Sequence, residues 1–197
     1  MAHNTAANRR PTNESSYEMT CETQIRRATP QDVEVVSEIL KEAARWLEQA
    51  GIPLWRETEL EPASIGPDVS TGLFFLAEHS GAPAGTVKFQ LEDPLFWPDV
   101  PPQEAAYIHR LAVRRAHAGT GLSSTLLRWA AERAQTLGFR YLRLDCVAAR
   151  PRLRAVYERF GFEHHSDRQV GPYFVSRYQY DTSKTPHAGR WVPHPPF

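Results

Sequence analysis

The stretch "HRLAVRRAHAGTGLSSTLLRWAAERA", His109 to Ala134, decides how the chain is read, because it changes character twice. With the "AAYI" before it, its first residues alternate as a strand does. Two arginines follow, then a small-residue turn holding Gly119 and Gly121. Beyond the turn, Leu122, Leu126, Ala130, Ala134 and Leu137 fall on one face of a helix that Gly138 ends. Strand, glycine turn and helix start in direct succession make a place to hold a phosphate.

Two common phosphate-binding arrangements fail on spacing. The chain contains no Gly-Lys dipeptide, so a GxxxxGK[ST] loop is absent. The dinucleotide pattern GxGxxG breaks because Ser124 stands where its third glycine belongs, and the turn comes too late in the fold. What is left is an A-G-T-G-L-S turn that opens a helix after a strand and two arginines.

Upstream, "TQIRRAT" from Thr23 reads as a first strand. Thr29 caps a helix with Pro30 at its first position and Asp32 at the capping-box position. Val33, Val36, Leu40, Ala43 and Leu47 share one face of that helix, and Gly51 stops it. "IPLWRETELEPASIG" reads as irregular or partly helical. "GLFFLAEHSGAPAGTVKFQLE" is a hairpin about Ser80-Gly81-Ala82-Pro83, and the prolines of "DPLFWPDVPPQE" forbid a regular element there. Downstream come the strand "RYLRLDCV", a helix through "RLRAVYERF" closed by Gly161, and strands near "FEHH" and "YFVSRYQYD". The order is strand, helix, hairpin, strand, helix, strand, helix, strand, strand, which gives a mixed-sheet α/β or α+β class.

The length of 197 residues suits one domain, and a formal net charge of zero provides no global field to recruit nucleic acid or an anionic membrane. Residues 1–22 read as a polar tail with no signal peptide, residues 23–181 as the domain, and residues 182–197 as a Pro/His-rich tail. No run is apolar and long enough to span a bilayer, so a cytoplasmic location is expected. Cys21 and Cys146 are read as reduced thiols, far apart and in no metal or redox spacing. His164, His165 and the C-terminal histidines have no ligand spacing, so no metal is expected.

Between Tyr107 and Phe162, "LAV" at Leu111 to Val113, the turn at Ala118 to Ser123, Leu126-Leu127, "YLRLDC" and "YERFGF" from Tyr157 follow one another in order. This succession resembles the GNAT superfamily of acyl-CoA-dependent N-acyltransferases, over roughly Gln24 to Tyr180. The resemblance implies a mixed, mostly antiparallel central sheet flanked by helices. It implies acetyl-CoA, or another acyl-CoA, as co-substrate. The backbone of Ala118, Gly119, Thr120, Gly121, Leu122 and Ser123 would hold its pyrophosphate, and Leu111, Ala112 and Val113 its pantetheine arm. The sequence departs from the family pattern at Ala118, where Gln or Arg is usual, and at Ser123, where Gly or Ala is. Loss of a charge-assisted side-chain bond at Ala118 would cost about 1.5–3 kcal/mol, and Arg114, Arg115 or His117 would compensate. Arg150 replaces an Asn often found seven positions before the tyrosine, and either contacts phosphate or pantetheine or faces solvent.

Acyl transfer to an amine needs a base, a holder for the oxyanion and a proton donor for the leaving thiolate. His109 stands where many relatives place a carboxylate, and an imidazole accepts a proton near neutrality. Strand alternation puts His109 on the face of Leu111 and Val113, with Arg110 opposite. Glu104 and Glu92 are rival bases, and a half-buried structural histidine is the plain alternative. By the resemblance Tyr157 is the acid beside the CoA sulfur, its alternative role being a core aromatic. Trp46, Trp55, Phe96 and Trp97 lie in regions that wall the acceptor pocket in the family. The expected acceptor is a primary amine of a small molecule, attacked directly because Cys146 lacks a base partner. The competing readings are a ligand-binding domain that has lost acetyl transfer, and an acetyltransferase of protein N-termini or lysines. Family members often dimerise, which makes a homodimer compatible with the resemblance.

Overall fold

A computed structural model describes residues 23–185, and the order of elements is the expected one with a second helix added before the hairpin. Strand β1 (Thr23–Arg27) leads into the Thr29–Asp32 corner, where the Asp32 carboxylate accepts from the Thr29 amide and hydroxyl. Arg26 adds two further bonds to the same carboxylate at 2.8 Å, so the entry to helix α1 (Val33–Gln49) is clamped. Its buried face carries Val36, Ile39 and Leu40.

The segment after α1 contains a second helix, α2 (Pro62–Ser70), which its own Pro67 obscures in the sequence. Ile65 and Val69 anchor α2 one turn apart. The hairpin of β2 (Phe74–His79) and β3 (Ala82–Gln90) turns more tightly than its composition suggests. Only Ser80 and Gly81 make the turn, both at positive φ, and Ala82 already pairs with His79.

Strands β4 (Ala105–Val113) and β5 (Tyr141–Val147) flank helix α3 (Leu122–Thr136) in the chain. Helix α4 (Pro151–Phe160) and the hairpin of β6 (Glu163–Val170) and β7 (Tyr173–Asp181) follow. The sheet order is β1-β2-β3-β4-β5-β7-β6, antiparallel everywhere except between β4 and β5. The α3/α4 face of the sheet is filled by Leu126, Leu127, Ala130, Leu142, Leu144, Tyr157 and Tyr178. The opposite face packs on α1 and α2 through Ile39, Leu40, Ile65 and Val69.

Packing runs past the expected domain end at Asp181. Thr182 donates to the Phe139 carbonyl, and Gln135 donates to Thr182, which fixes residues 182–185 beside α3. Cys21, the first 22 residues and the chain beyond Thr185 lie outside the described residues.

Candidate active site

The two central strands run together only briefly. β4 and β5 pair through Ala105–Tyr141, Ala106–Leu142 and Tyr107–Arg143, and then part. From Ile108 onward the edge of β4 that faces β5 has no strand partner among the described residues. On its other edge β4 carries a bulge. His109 pairs with Lys88 and Ala112 with Thr86, so Arg110 and Leu111 together oppose Val87. Arg110 takes φ 49°, a conformation uncommon for a residue with a side chain.

The bulge overturns the expected facing. Leu111 and Val113 pack on the α3/α4 core, whereas Ala112 joins the α1/α2 core. His109 therefore does not share the face of Leu111 and Val113. Arg110, expected opposite His109, turns toward Glu59 and Asp68 on the α1/α2 side instead. The extra residue resets the alternation, which the sequence pattern does not signal.

His109 stands where the strands part, between two carboxylates. Its Nε2 lies 3.2 Å from Asp93 Oδ2 and its Nδ1 3.6 Å from Asp145 Oδ1. Neither contact is aligned as a hydrogen bond, so both are electrostatic. Asp93 is buried, its side chain 4% exposed. Burial pushes the Asp145 carboxyl up to about 6, against the opposing pull of His109. The three ligand-type atoms lie within 4.8 Å of one another. The carboxylates address opposite ring nitrogens of His109.

Asp93 arrives on the proline-rich insertion between β3 and β4. Its Oδ1 accepts the Phe96 amide, and the Phe96 ring lies 6.0 Å from that of His109. The insertion is pinned by Trp97, which sits under the guanidinium groups of Arg143 and Arg177 at 5.1 and 4.7 Å. Arg177 also binds Asp99 through both nitrogens. Of the rival bases, Glu104 is held by Arg143 at 2.7 Å and Glu92 is exposed. Asp93 and Asp145 were not foreseen. In "YLRLDCV" Asp145 alternates with Arg143 as an ordinary polar position, and nothing local marks Asp93.

Tyr157 lies on the other face, 8% exposed, its ring against Phe162 and Tyr178. Burial, reinforced by Cys146 and Asp145 nearby, drives its pKa further above the usual phenol range. The phenol is a proton donor that stays un-ionised. Burial also pushes the neighbouring Cys146 thiol up to about 12, which removes it as a nucleophile at neutral pH.

The glycine turn has the shape its sequence implied. Gly119 (φ 79°) and Gly121 (φ 87°) are left-handed, and no side chain caps α3. The amides of Leu122, Ser123 and Ser124 therefore have no partner within the helix. Ala118, Gly119, Thr120 and Gly121 are exposed.

The basic residues expected to support this turn are engaged elsewhere. Arg114 binds Glu42 at 2.8 Å and the Pro83 carbonyl at 3.0 Å, because α1 presents its carboxylates to the end of β4. Arg115 donates its amide to Glu42 and lays its guanidinium over Trp46. The His117 ring lies edge-on to that of His79. Arg150 neither faces solvent freely nor points to the turn: it donates to the carbonyls of Ile52 and Pro53 after α1.

The tryptophans do not form one wall. Trp46 is 42% exposed beneath Arg115, Trp55 packs on the α1/α2 core, and Trp97 is buried under the arginines. Of the expected aromatic residues, Phe96 is the one beside His109.

A mixed sheet parted between two parallel central strands, with an uncapped glycine turn beside the gap, defines an acetyltransferase of the GNAT type. The family model described as "Acetyltransferase (GNAT) family" matches residues 36–162, and the chain belongs to that family. It is 30% identical over 142 residues to the uncharacterized N-acetyltransferase YesJ of Bacillus subtilis (strain 168), covering 69% of this chain and 79% of that protein. Among solved structures, a GNAT-family acetyltransferase of Listeria monocytogenes 4b F2365 superposes with a TM-score of 0.66 at 23% identity, covering 80% of this chain and 95% of that one. The PaiA N-acetyltransferase of Thermoplasma acidophilum, solved in complex with coenzyme A, superposes with a TM-score of 0.64 at 18% identity, covering 81% and 99%. No helix among the described residues is long and apolar enough to cross a membrane.

Proposed function

We propose that the protein transfers an acetyl or other short acyl group from CoA to a primary amine of a small molecule, with His109 as the base and Tyr157 as the acid. The observation that carries this reading is the place of His109: between Asp93 and Asp145, where β4 leaves β5. The uncapped start of α3 suits the CoA pyrophosphate, and the unpaired edge of β4 suits the pantetheine arm. The CoA complex of the PaiA relative supports the same cofactor.

His109 takes the proton of the acceptor ammonium, and the freed amine attacks the thioester carbonyl. The C–N bond forms, the C–S bond breaks, Tyr157 protonates the leaving thiolate, and the second proton shed by the nitrogen returns to the Tyr157 phenol. Asp93 and Asp145 stabilise the imidazolium formed in the first step. Direct attack is consistent with a Cys146 thiol that burial keeps protonated.

The test is the pH dependence of kcat/KM with acetyl-CoA and a panel of primary amines. Its acidic limb reports protonation of the group that acts as base. His109→Ala should abolish that limb and lower kcat/KM about 10²- to 10⁴-fold. An intact limb in the variant would remove His109 as base. Tyr157→Phe should lower kcat more than it raises KM, and an unchanged kcat would dismiss it as the acid.

A further inference from the structure

We infer that Arg110 binds a carboxylate carried by the acceptor, so that the acceptor is an amino acid or a closely similar amine with its own carboxylate. The inference rests on the acyl-transfer reading above and names the substrate class of that same site.

The first observation is the backbone. Arg110 holds φ 49° at the bulge, a position a glycine would occupy without cost and a long side chain occupies under strain. The second is what the bulge does: it brings Arg110 to the α1/α2 side of the sheet, where the adjacent His109 meets Asp93 and Asp145. Simple alternation would have sent the two side chains to opposite faces.

The third observation is the guanidinium itself. The side chain is 24% exposed, and Nη1 is buried without a hydrogen-bond partner among the described residues. Nη2 lies 3.7 Å from Glu59 Oε2, beyond hydrogen-bond reach. Asp68, the next acidic group it senses, is already bound by Lys88 at 2.7 Å. The third group that faces it is Tyr173, at the start of β7. Arg114 and Arg177, by contrast, each hold a carboxylate, at 2.8 and 2.5 Å. A largely buried cation with one unpartnered terminal nitrogen and a loosely paired second one is completed by a carboxylate, whose two oxygens match the fork.

The neighbouring charges agree with that assignment. His109, held between Asp93 and Asp145, suits the amine end of an acceptor, and Arg110 suits its anionic end. Two successive residues of one strand thus present opposite halves of a zwitterion's recognition.

The test pairs each common L-amino acid with its α-amide as acceptor, with acetyl-CoA, and compares kcat/KM on free-amine concentration. At least one acid should exceed its amide by tenfold or more, the size of one charge-assisted hydrogen bond. Arg110→Gln should bring that ratio to about one, and Arg110→Lys, which keeps the charge without the fork, should leave part of it. A melting curve shows whether Arg110→Gln is folded; where it is not, the wild-type ratio and Arg110→Lys decide. Amides acetylated as well as acids, or a preference that survives in the folded glutamine variant, would overturn the inference while leaving acyl transfer in place. Absence of transfer to every amine would instead overturn the acyl-transfer reading and this inference with it.

Discussion

At the scale of single residues, the costly group is Asp145. Burial raises its pKa from an ordinary 3.8 to about 6 in the folded protein. The folded state then holds this proton more tightly than the unfolded chain does. The stability linked to the group is fully present below about pH 4 and is lost as pH rises through 6. Asp145→Asn should therefore be more stable to chemical denaturation than wild type at pH 7.5, by up to about 3 kcal/mol, with the gain fading toward pH 4. Activity should fall in the same variant, because an amide stabilises the His109 imidazolium poorly. A stability difference independent of pH would show that Asp145 ionises as an ordinary carboxyl. His109 was legible as a candidate from its strand position, whereas Asp145 was not, because it alternates with Arg143 as any polar-face residue of a strand does. Asp93 was not legible, because its place depends on how a proline-rich loop folds back over the sheet.

Elements carry the next level of control. The limits of β4 and α3 were readable because alternation, the glycines and the apolar stripe all agree there. The bulge inside β4 was not, since it arises from pairing with β3 and leaves no mark in composition. That one extra residue reversed the facing of His109 relative to Leu111 and gave Arg110 its direction. Helix α2 was hidden for a different reason: Pro67 interrupts its hydrogen bonding, while burial of Ile65 and Val69 supports it. The glycine turn offers a clean test of shape against space. A Cβ at Gly121 would touch nothing within 4 Å, so Gly121→Ala should be penalised only for its left-handed backbone. A loss of about 1–2 kcal/mol in chemical denaturation is expected, with weakened acetyl-CoA binding. A much larger loss would mean that the turn is also packed.

Across the whole molecule, the insertion and the tail of the domain bind parts that are distant in sequence. Trp97 and Asp99 fasten the β3–β4 insertion to β5 and β7, and Arg150 ties the start of α4 to the loop after α1. These ties explain why the aromatic residues did not gather as one acceptor wall: Trp97 and Trp55 are committed to packing. The class of the fold was legible because the order of elements admits few arrangements. The proposed cofactor would touch β4 and the start of α3 together, so binding should register in global stability. At a hundredfold excess over its Kd, acetyl-CoA should add about 2.7 kcal/mol and raise the melting temperature by several degrees. No shift at saturating acetyl-CoA would argue against a CoA site in this gap.

The early parting of β4 from β5 also has a mechanical meaning. Seven strands form one sheet, yet its two halves are laced together by three residue pairs at the centre. Under load, such a sheet behaves as two rafts on a short hinge, and its weakest seam runs through its middle instead of its rim. A molecule seated along that seam would act as a rivet between the rafts.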